Sequence, residues 1–208
     1  MWRCTLVHES FMLFIAIMTI VDLSKTLISL MVEAQQRCGT SDVITGETVK
    51  GWVELYQELV NCCDKVAVCF GCQYIFSLTC TIVHYVNVVY NFIYFNVFKT
   101  LEFDDNFKLW FLMIGYVMIM SLPIVATQMA SNQWVRCQRV IARLHNNMID
   151  DVNTAERKMI KDFIRVIKKH PLQIRFMSKV PVGIFLLPAI LTAVVNHVII
   201  LLQFNHVV

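Results

Sequence analysis

This 208-residue chain has little charge, and long stretches of it have none. Only 16% of its residues are charged, 57% are hydrophobic, and its mean hydropathy is +0.60. No charged residue occurs in Val66–Phe98, in Leu109–Val135 or after Lys179. Each of these stretches exceeds the roughly 20 residues that cross a bilayer as a helix. The shortage of charge excludes an ordinary soluble domain and predicts a membrane protein with at least three spans.

The sequence also lacks the patterns of catalysis. It contains no nucleophile elbow, no phosphate-binding loop, no zinc-protease helix and no pair of intramembrane carboxylates. Cys69 and Cys72 form a Cys-x-x-Cys, but it lies inside a charge-free stretch and has no second pair at metal-ligand spacing, so we interpret both as packing residues. We therefore expect no catalytic residue, no metal site, no cofactor and no nucleic-acid partner.

A fourth candidate span covers residues 10–32. Asp22 and Lys25 interrupt it, three residues apart on a helix, where they can neutralise each other at an interface or inside a bundle. An interfacial helix is the alternative. We predict spans at 10–32, 66–98, 109–135 and 180–204 within a single membrane domain, residues 1–208.

Positive charge is concentrated between the last two spans. The segment from Ala130 to Lys179 contains eleven basic residues and four acidic ones. The basic residues are Arg136, Arg139, Arg143, Arg157, Lys158, Lys161, Arg165, Lys168, Lys169, Arg175 and Lys179, and the acidic residues are Asp150, Asp151, Glu156 and Asp162. By the positive-inside rule this loop is cytoplasmic, which places the C-terminus outside. The expected location is the plasma membrane, with several passes.

Helical periodicity extends beyond the spans. One helix face leads into the Val66 span and consists of Trp52, Leu55, Tyr56, Leu59, Cys62 and Cys63. The segment before it, Gly39–Gly51, is rich in turn residues and predicts a loop. A second apolar face consists of Trp134, Cys137, Ile141, Leu144 and Met148, and 136–170 as a whole predicts cytoplasmic helices. The predicted fold is an all-α polytopic membrane bundle of three to four transmembrane helices with cytoplasmic helical extensions.

A polar ribbon runs along the Val66 span at helical spacing. Its members are Gln73, Ser77, Thr81, His84, Asn87, Asn91 and Tyr94. Such a ribbon faces a bundle interior or a wet cavity, because lipid leaves its hydrogen-bonding groups unsatisfied. Two interpretations stay open, a pocket for a small polar molecule and interhelical hydrogen bonding. For the pocket, the candidate ligand-binding residues are His84, Asn87, Asn91 and Tyr94.

The final span carries a second polar stripe. Thr192, Asn196 and Gln203 fall on one helix face, with Ile199 and Ile200 between the outer two. A ring of such helices makes a pore with polar belts and an apolar constriction, so these five residues are the candidate pore and gate. Burial of the stripe inside the subunit's own bundle is the alternative.

The end of this helix resembles the insect gustatory receptor family, whose last helix carries Thr-Tyr, five apolar residues and Gln-Phe. Here the five apolar residues Val198–Leu202 precede Gln203-Phe204, while Asn196-His197 replaces Thr-Tyr. Leu55-Tyr56-Gln57-Glu58-Leu59 and His170-Pro171-Leu172 with Phe176 also agree with the family. The resemblance runs from Trp52 to the end of the chain.

The resemblance implies a tetrameric ligand-gated cation channel for small-molecule tastants. It implies homo- or hetero-oligomers with other receptor subunits, a cytoplasmic helical anchor, Gln203 at the outer gate, and His84 to Tyr94 in the ligand pocket. Family members have seven spans, so this chain corresponds to the C-terminal part and we expect N-terminal truncation. A non-conducting modulatory partner of full-length receptors and a small secondary transporter are the competing functions.

Overall fold

The computed structural model describes residues 2–38, 44–98, 103–147, 154–176, 180–181 and 183–204, and nearly all of them are helical. The helices are α1 (Trp2–Cys38), α2 (Gly46–Phe98), α3 (Phe103–Asn147), α4 (Thr154–Lys169) and α5 (Leu186–Phe204). A two-residue antiparallel hairpin, β1 (Arg175–Phe176) with β2 (Val180–Pro181), precedes α5. Four helices, α1, α2, α3 and α5, are long and apolar enough to cross a membrane. The all-helical prediction is confirmed.

α2 is one continuous helix, so the predicted extension of the Val66 span back to Trp52 is confirmed. It begins earlier than expected, at Gly46, within the predicted loop Gly39–Gly51. Thr45 explains the early start, because its carbonyl accepts the N–H groups of Thr48 (3.1 Å) and Val49 (3.3 Å) and its hydroxyl lies 3.4 Å from the Thr48 nitrogen. Residues 39–43 lie outside the described part of the chain.

α3 is equally continuous and joins the predicted span 109–135 without a break to the helical segment that follows it, as far as Asn147. Pro123 lies inside it and does not end it. The predicted inner face is buried, since Cys137, Ile141 and Leu144 are almost inaccessible. Met148 lies outside the described residues.

The helices build two hydrophobic cores. The four-helix core contains α1, the first half of α2, the second half of α3, and α4, with Ile17, Tyr56 and Ile141 fully buried in it. The α5 core contains the remaining halves of α2 and α3 packed on Ile190, Val194, Val198 and Leu202. Among the described residues, α1 contacts α2 and α3 and makes no contact with α4 or α5.

Exposed side chains change character at one level of the bundle. On α2 they change from Asp64 and Lys65 to Val68, and on α3 from Arg136 to Val125. These positions lie side by side, because α2 and α3 are antiparallel, with His84 stacked on Tyr116 and Phe92 in edge-to-face contact with Trp110. We call the plane through Lys65 and Arg136 the boundary level.

On α1 the change occurs at the same level. Its exposed residues before Thr19 include Phe11 and Ile15, and those after it include Asp22 and Lys25, whose side chains form an ion pair of 2.8 Å. The pairing proposed from the sequence is therefore present. It lies on the charged side of the boundary level.

The last charge-free run is only partly helical. It begins at Val180, but α5 begins at Leu186. Pro181 lies in β2, and Gly183 opens a turn in which its carbonyl accepts the Leu186 N–H at 3.0 Å. The Ile184 N–H also faces the Gln128 side-chain oxygen at 3.4 Å, which sets the start of α5 beside α3.

Candidate functional site: an exposed polar face and an apolar cavity

Two opposite faces of α5 have different surroundings. Ile190, Val194, Val198 and Leu202 recur every fourth residue and are buried against α2 and α3. At about 100° per residue, Thr192, Asn196, Ile199 and Gln203 fall on the opposite side of the helix. All four are exposed, as is Ile200. The candidate pore residues thus share a face that the subunit does not cover with its own described helices.

The polar groups on this face differ in how they are satisfied. The Thr192 hydroxyl donates to the Pro188 carbonyl at 2.8 Å, within its own helix. The neighbouring His197 pairs in the same way, with Nδ1 2.8 Å from the Ala193 carbonyl oxygen. Asn196 and Gln203 expose their amides instead. In hydrocarbon such amides are costly, so they require water or a partner.

A cavity of about 430 Å³ lies where α1, α2 and α3 meet. It is lined by Val7, Thr81, Lys108, Phe111, Leu112, Gly115, Tyr116 and Ile119. α3 supplies most of the wall, α2 contributes Thr81 and α1 contributes Val7. The wall is mainly apolar, so the cavity suits a molecule that is itself mostly apolar.

One buried hydroxyl stands out in this wall. Tyr116 is 7% exposed, and its hydroxyl has no hydrogen-bond partner among the described residues. Thr81 differs, because its hydroxyl donates to the Ser77 carbonyl at 2.8 Å. An unpaired buried hydroxyl costs about 1–3 kcal/mol, and the Tyr116 oxygen is enclosed by protein atoms although other atoms of its side chain line the cavity.

The predicted polar ribbon of α2 is divided between several environments. Ser77 and Thr81 are buried, and His84 stacks parallel on Tyr116 with ring centroids 6.4 Å apart. Asn87 and Asn91 are exposed on the outer part of α2.

The last residue of the ribbon, Tyr94, stacks on Tyr90 with ring centroids 5.9 Å apart. Of the four candidate ligand residues, His84 therefore touches the cavity wall through Tyr116. Asn87, Asn91 and Tyr94 are not among the lining residues.

Sequence reasoning missed the contributions of α1 and α3. Tyr116 gave no periodic signal, because it is an isolated polar residue in an apolar run. Glu9 was also missed, and its carboxylate accepts a hydrogen bond of 2.6 Å from the Gln73 side chain. For Gln73, this contact supports the interpretation of the ribbon as interhelical hydrogen bonding. Only the antiparallel pairing of α1 and α2 brings the two side chains together.

Comparison with known proteins gives one family. The family described as 7tm chemosensory receptor matches residues 5–206, which includes α1 as well as the part from Trp52 onward. No curated protein matches the chain.

Proposed function

The chain belongs to the 7tm chemosensory receptor family, and we propose that it is a subunit of a gustatory-type receptor that is itself a ligand-gated cation channel. It is a multi-pass membrane receptor, and its family is not a family of enzymes. The proposal adds three elements: a pore made by α5 from several subunits, a ligand site in the cavity beside Tyr116, and an orientation in the plasma membrane.

The exposed polar face of α5 is the observation that supports the pore. A single subunit packs one side of α5 with apolar side chains and turns Asn196 and Gln203 outward. Several copies around a common axis give these amides an aqueous path. Ile199 and Ile200 then form an apolar constriction that closes by losing its water. A homo- or hetero-tetramer with other receptor subunits is the proposed assembly.

Charge supports the orientation. The end of the bundle beyond the boundary level carries Arg136, Arg139 and Arg143 on α3 and the lysines of α4. By the positive-inside rule this end is cytoplasmic and the C-terminus is extracellular. In this orientation only the first part of α1 lies at membrane depth, and the part from Asp22 onward belongs to the cytoplasmic bundle.

The cavity supports the ligand site, and its apolar wall favours a small, mostly apolar ligand. Its position between α1, α2 and α3 lets a ligand alter the packing of α2, and the same helix packs against α5. His84, stacked on Tyr116, connects the cavity to the predicted ligand residues further along α2.

The pore is tested by substitution on two sides of α5. We expect Ile199→Ala and Gln203→Ala to change leak current or ion selectivity, because both residues lie on the exposed face. Leu201→Ala is the matched control, since Leu201 is partly buried in the α5 core. Currents are recorded from cells that express the chain alone and from cells that co-express a full-length receptor.

The outcomes separate the competing functions. Currents from the chain alone that respond to Ile199→Ala and not to Leu201→Ala support the channel. If the chain gives no current when it is expressed alone but alters the currents of a co-expressed full-length receptor, it is a modulatory partner instead. Equal effects at all three positions contradict the proposed pore face.

A further inference from the structure

A second cavity lies at the opposite end of the molecule, between α3 and α4. It has a volume of about 410 Å³ and is lined by Gln138, Arg139, Ile141, Ala142, His145, Asn146, Ile164, Ile167 and Lys168. Its floor is aliphatic, and its rim carries two cations, one imidazole and two amides. We call it the basal groove. Neither the pore nor the ligand cavity uses it.

Two contacts hold the groove open in a defined shape. The Trp134 indole N–H donates to the Ile167 carbonyl at 3.1 Å, which fixes the end of α4 against α3. The Tyr56 hydroxyl donates to the His170 carbonyl at 2.6 Å and fixes the next turn of chain against α2. Lys168 lies between these two anchored carbonyls, and its position beside Arg139 therefore follows from the packing of α4.

The charge of the groove is uncompensated. No acidic side chain is among its lining residues. α4 has two described acids: Asp162 is paired with Arg165 at 2.9 Å, and Glu156 lies eight residues before Ile164 and does not line the groove. In the described part of the chain, neither Arg139 nor Lys168 forms an ion pair. Cations clustered in this way attract an anion, and phosphate groups are the anions that Arg and Lys bind best.

The position of the groove selects among phosphate-bearing ligands. Its upper end, at Gln138 and Arg139, begins within a turn of the boundary level at Arg136, where lipid headgroups meet water. From Arg139 to His145 the groove runs about 9 Å further from the membrane. A simple phosphodiester headgroup stays at the upper end, whereas a phosphorylated inositol ring extends inward and its C–H face can lie on Ala142 and Ile164.

We propose that the basal groove binds the phosphorylated headgroup of an inositol lipid of the cytoplasmic leaflet. Arg139 and Lys168 contact the phosphates at the membrane end. His145 and Asn146 contact the distal part of the ring. The lipid thereby bridges α3 and α4, the helix that leads through the hairpin into α5.

Binding of a soluble short-chain lipid to the purified full-length protein tests this proposal. The probe is dioctanoyl phosphatidylinositol 4,5-bisphosphate, titrated into detergent-solubilised protein and compared with dioctanoyl phosphatidylserine and with inorganic phosphate. We expect Arg139→Gln with Lys168→Gln to weaken binding about tenfold or more, the loss of one or two charge-assisted hydrogen bonds. Lys158→Gln with Lys161→Gln removes the same charge from exposed positions of α4 that do not line the groove, and is the matched control.

A third variant separates shape from charge. Ala142→Leu narrows the groove and leaves its charge unchanged. If the groove is the site, this variant also weakens lipid binding. It remains informative if the double variant does not fold. Equal weakening by the groove and control pairs shows a diffuse attraction and overturns the proposal. Inorganic phosphate that binds as well as the lipid assigns the site to a free anion and overturns the lipid. Absence of lipid binding to the unaltered protein overturns the proposal as well.

Discussion

At the scale of single residues, buried hydroxyl groups have contrasting roles in this protein. Tyr56 is fully buried, and its hydroxyl donates to a backbone carbonyl distant in sequence, that of His170. Tyr116 is nearly as buried and lines a cavity, but its hydroxyl is enclosed and has no partner among the described residues. The first arrangement stabilises the fold, and the second leaves a buried polar group unpaired.

Replacement of Tyr56 by phenylalanine therefore destabilises the protein. We expect a loss of about 1 kcal/mol in the free energy of unfolding, because the protein loses a hydrogen bond in a partly buried site. Thermal unfolding of the purified protein measures the effect. Tyr85→Phe is the control, since Tyr85 is 8% exposed and the structure shows no hydrogen bond of its hydroxyl to a described residue. Equal shifts in both variants contradict the structural role of the Tyr56 hydroxyl.

A larger side chain at Gly115 tests whether the cavity beside Tyr116 binds the ligand, because it fills the cavity without a steric clash. No heavy atom from elsewhere in the described structure lies within 4 Å of the position of a Cβ at Gly115, so Gly115→Leu occupies the cavity and leaves the helix intact. We expect normal surface expression and loss of the ligand response, measured as dose-dependent current. Gly51→Leu is the control, because Gly51 is also in a helix with open space around it but far from the cavity. An unchanged dose response in Gly115→Leu assigns the ligand to another site.

At the scale of helices, length and apolarity do not determine how much of a helix is in the membrane. α1 is long and apolar enough to span. Its exposed side nevertheless changes from apolar to charged near Thr19, level with the same change on α2 and α3. We therefore infer that the second half of α1 belongs to an aqueous bundle, with its apolar residues packed against α2 and α3.

Reactivity of introduced cysteines tests this division of α1. Ile15 and Ser29 are both exposed, so a cysteine at either position is free of the subunit's own core. In a background without the natural cysteines, we expect a membrane-impermeant thiol reagent applied from the cytoplasmic side to modify Ser29→Cys and to leave Ile15→Cys unmodified. Modification of neither variant places the whole helix in lipid and contradicts the boundary level.

At the scale of the whole molecule, the subunit leaves one side of α5 uncovered. Its two cores divide the described helices between them, and α5 contacts only α2 and α3. A helix with amides on its open side is unstable in lipid as a lone subunit. The proposed oligomer would resolve this, because the open side of one α5 would then face water and the α5 helices of the neighbouring subunits.

Cross-linking between copies tests the shared axis. In a background without the natural cysteines, we expect Gln203→Cys to form disulfide-linked dimers under mild oxidation, detected by non-reducing electrophoresis of membranes. Leu201→Cys does not, because that side chain is partly buried against its own subunit. Dimers from both variants, or from Leu201→Cys alone, contradict an axis next to the exposed face.

The pattern of hydrophobic residues was sufficient to predict the helices, whereas the β1–β2 hairpin was not predicted. The charge-free runs predicted the membrane segments, and the three- and four-residue spacing from Trp52 and from Trp134 predicted the helical extensions that the structure contains as parts of α2 and α3. The ends of elements were less predictable. Thr45 begins α2 within a turn-rich segment, and Pro181 with Gly183 delays α5, because local hydrogen bonds and backbone restrictions act over single residues.

What periodicity could not supply is the neighbour of each face. It showed that Thr192, Asn196 and Gln203 lie on one side of a helix, and that Gln73 to Tyr94 form a ribbon, but a stripe has the same spacing whether it meets a helix, a ligand or water. Packing of Val194 and Val198 against α2 and α3 left the α5 stripe exposed. The meeting of α1, α2 and α3 likewise created the cavity at Tyr116. Such contacts join residues far apart in the chain, and their formation depends on the competition of all helices for burial, which no single segment encodes.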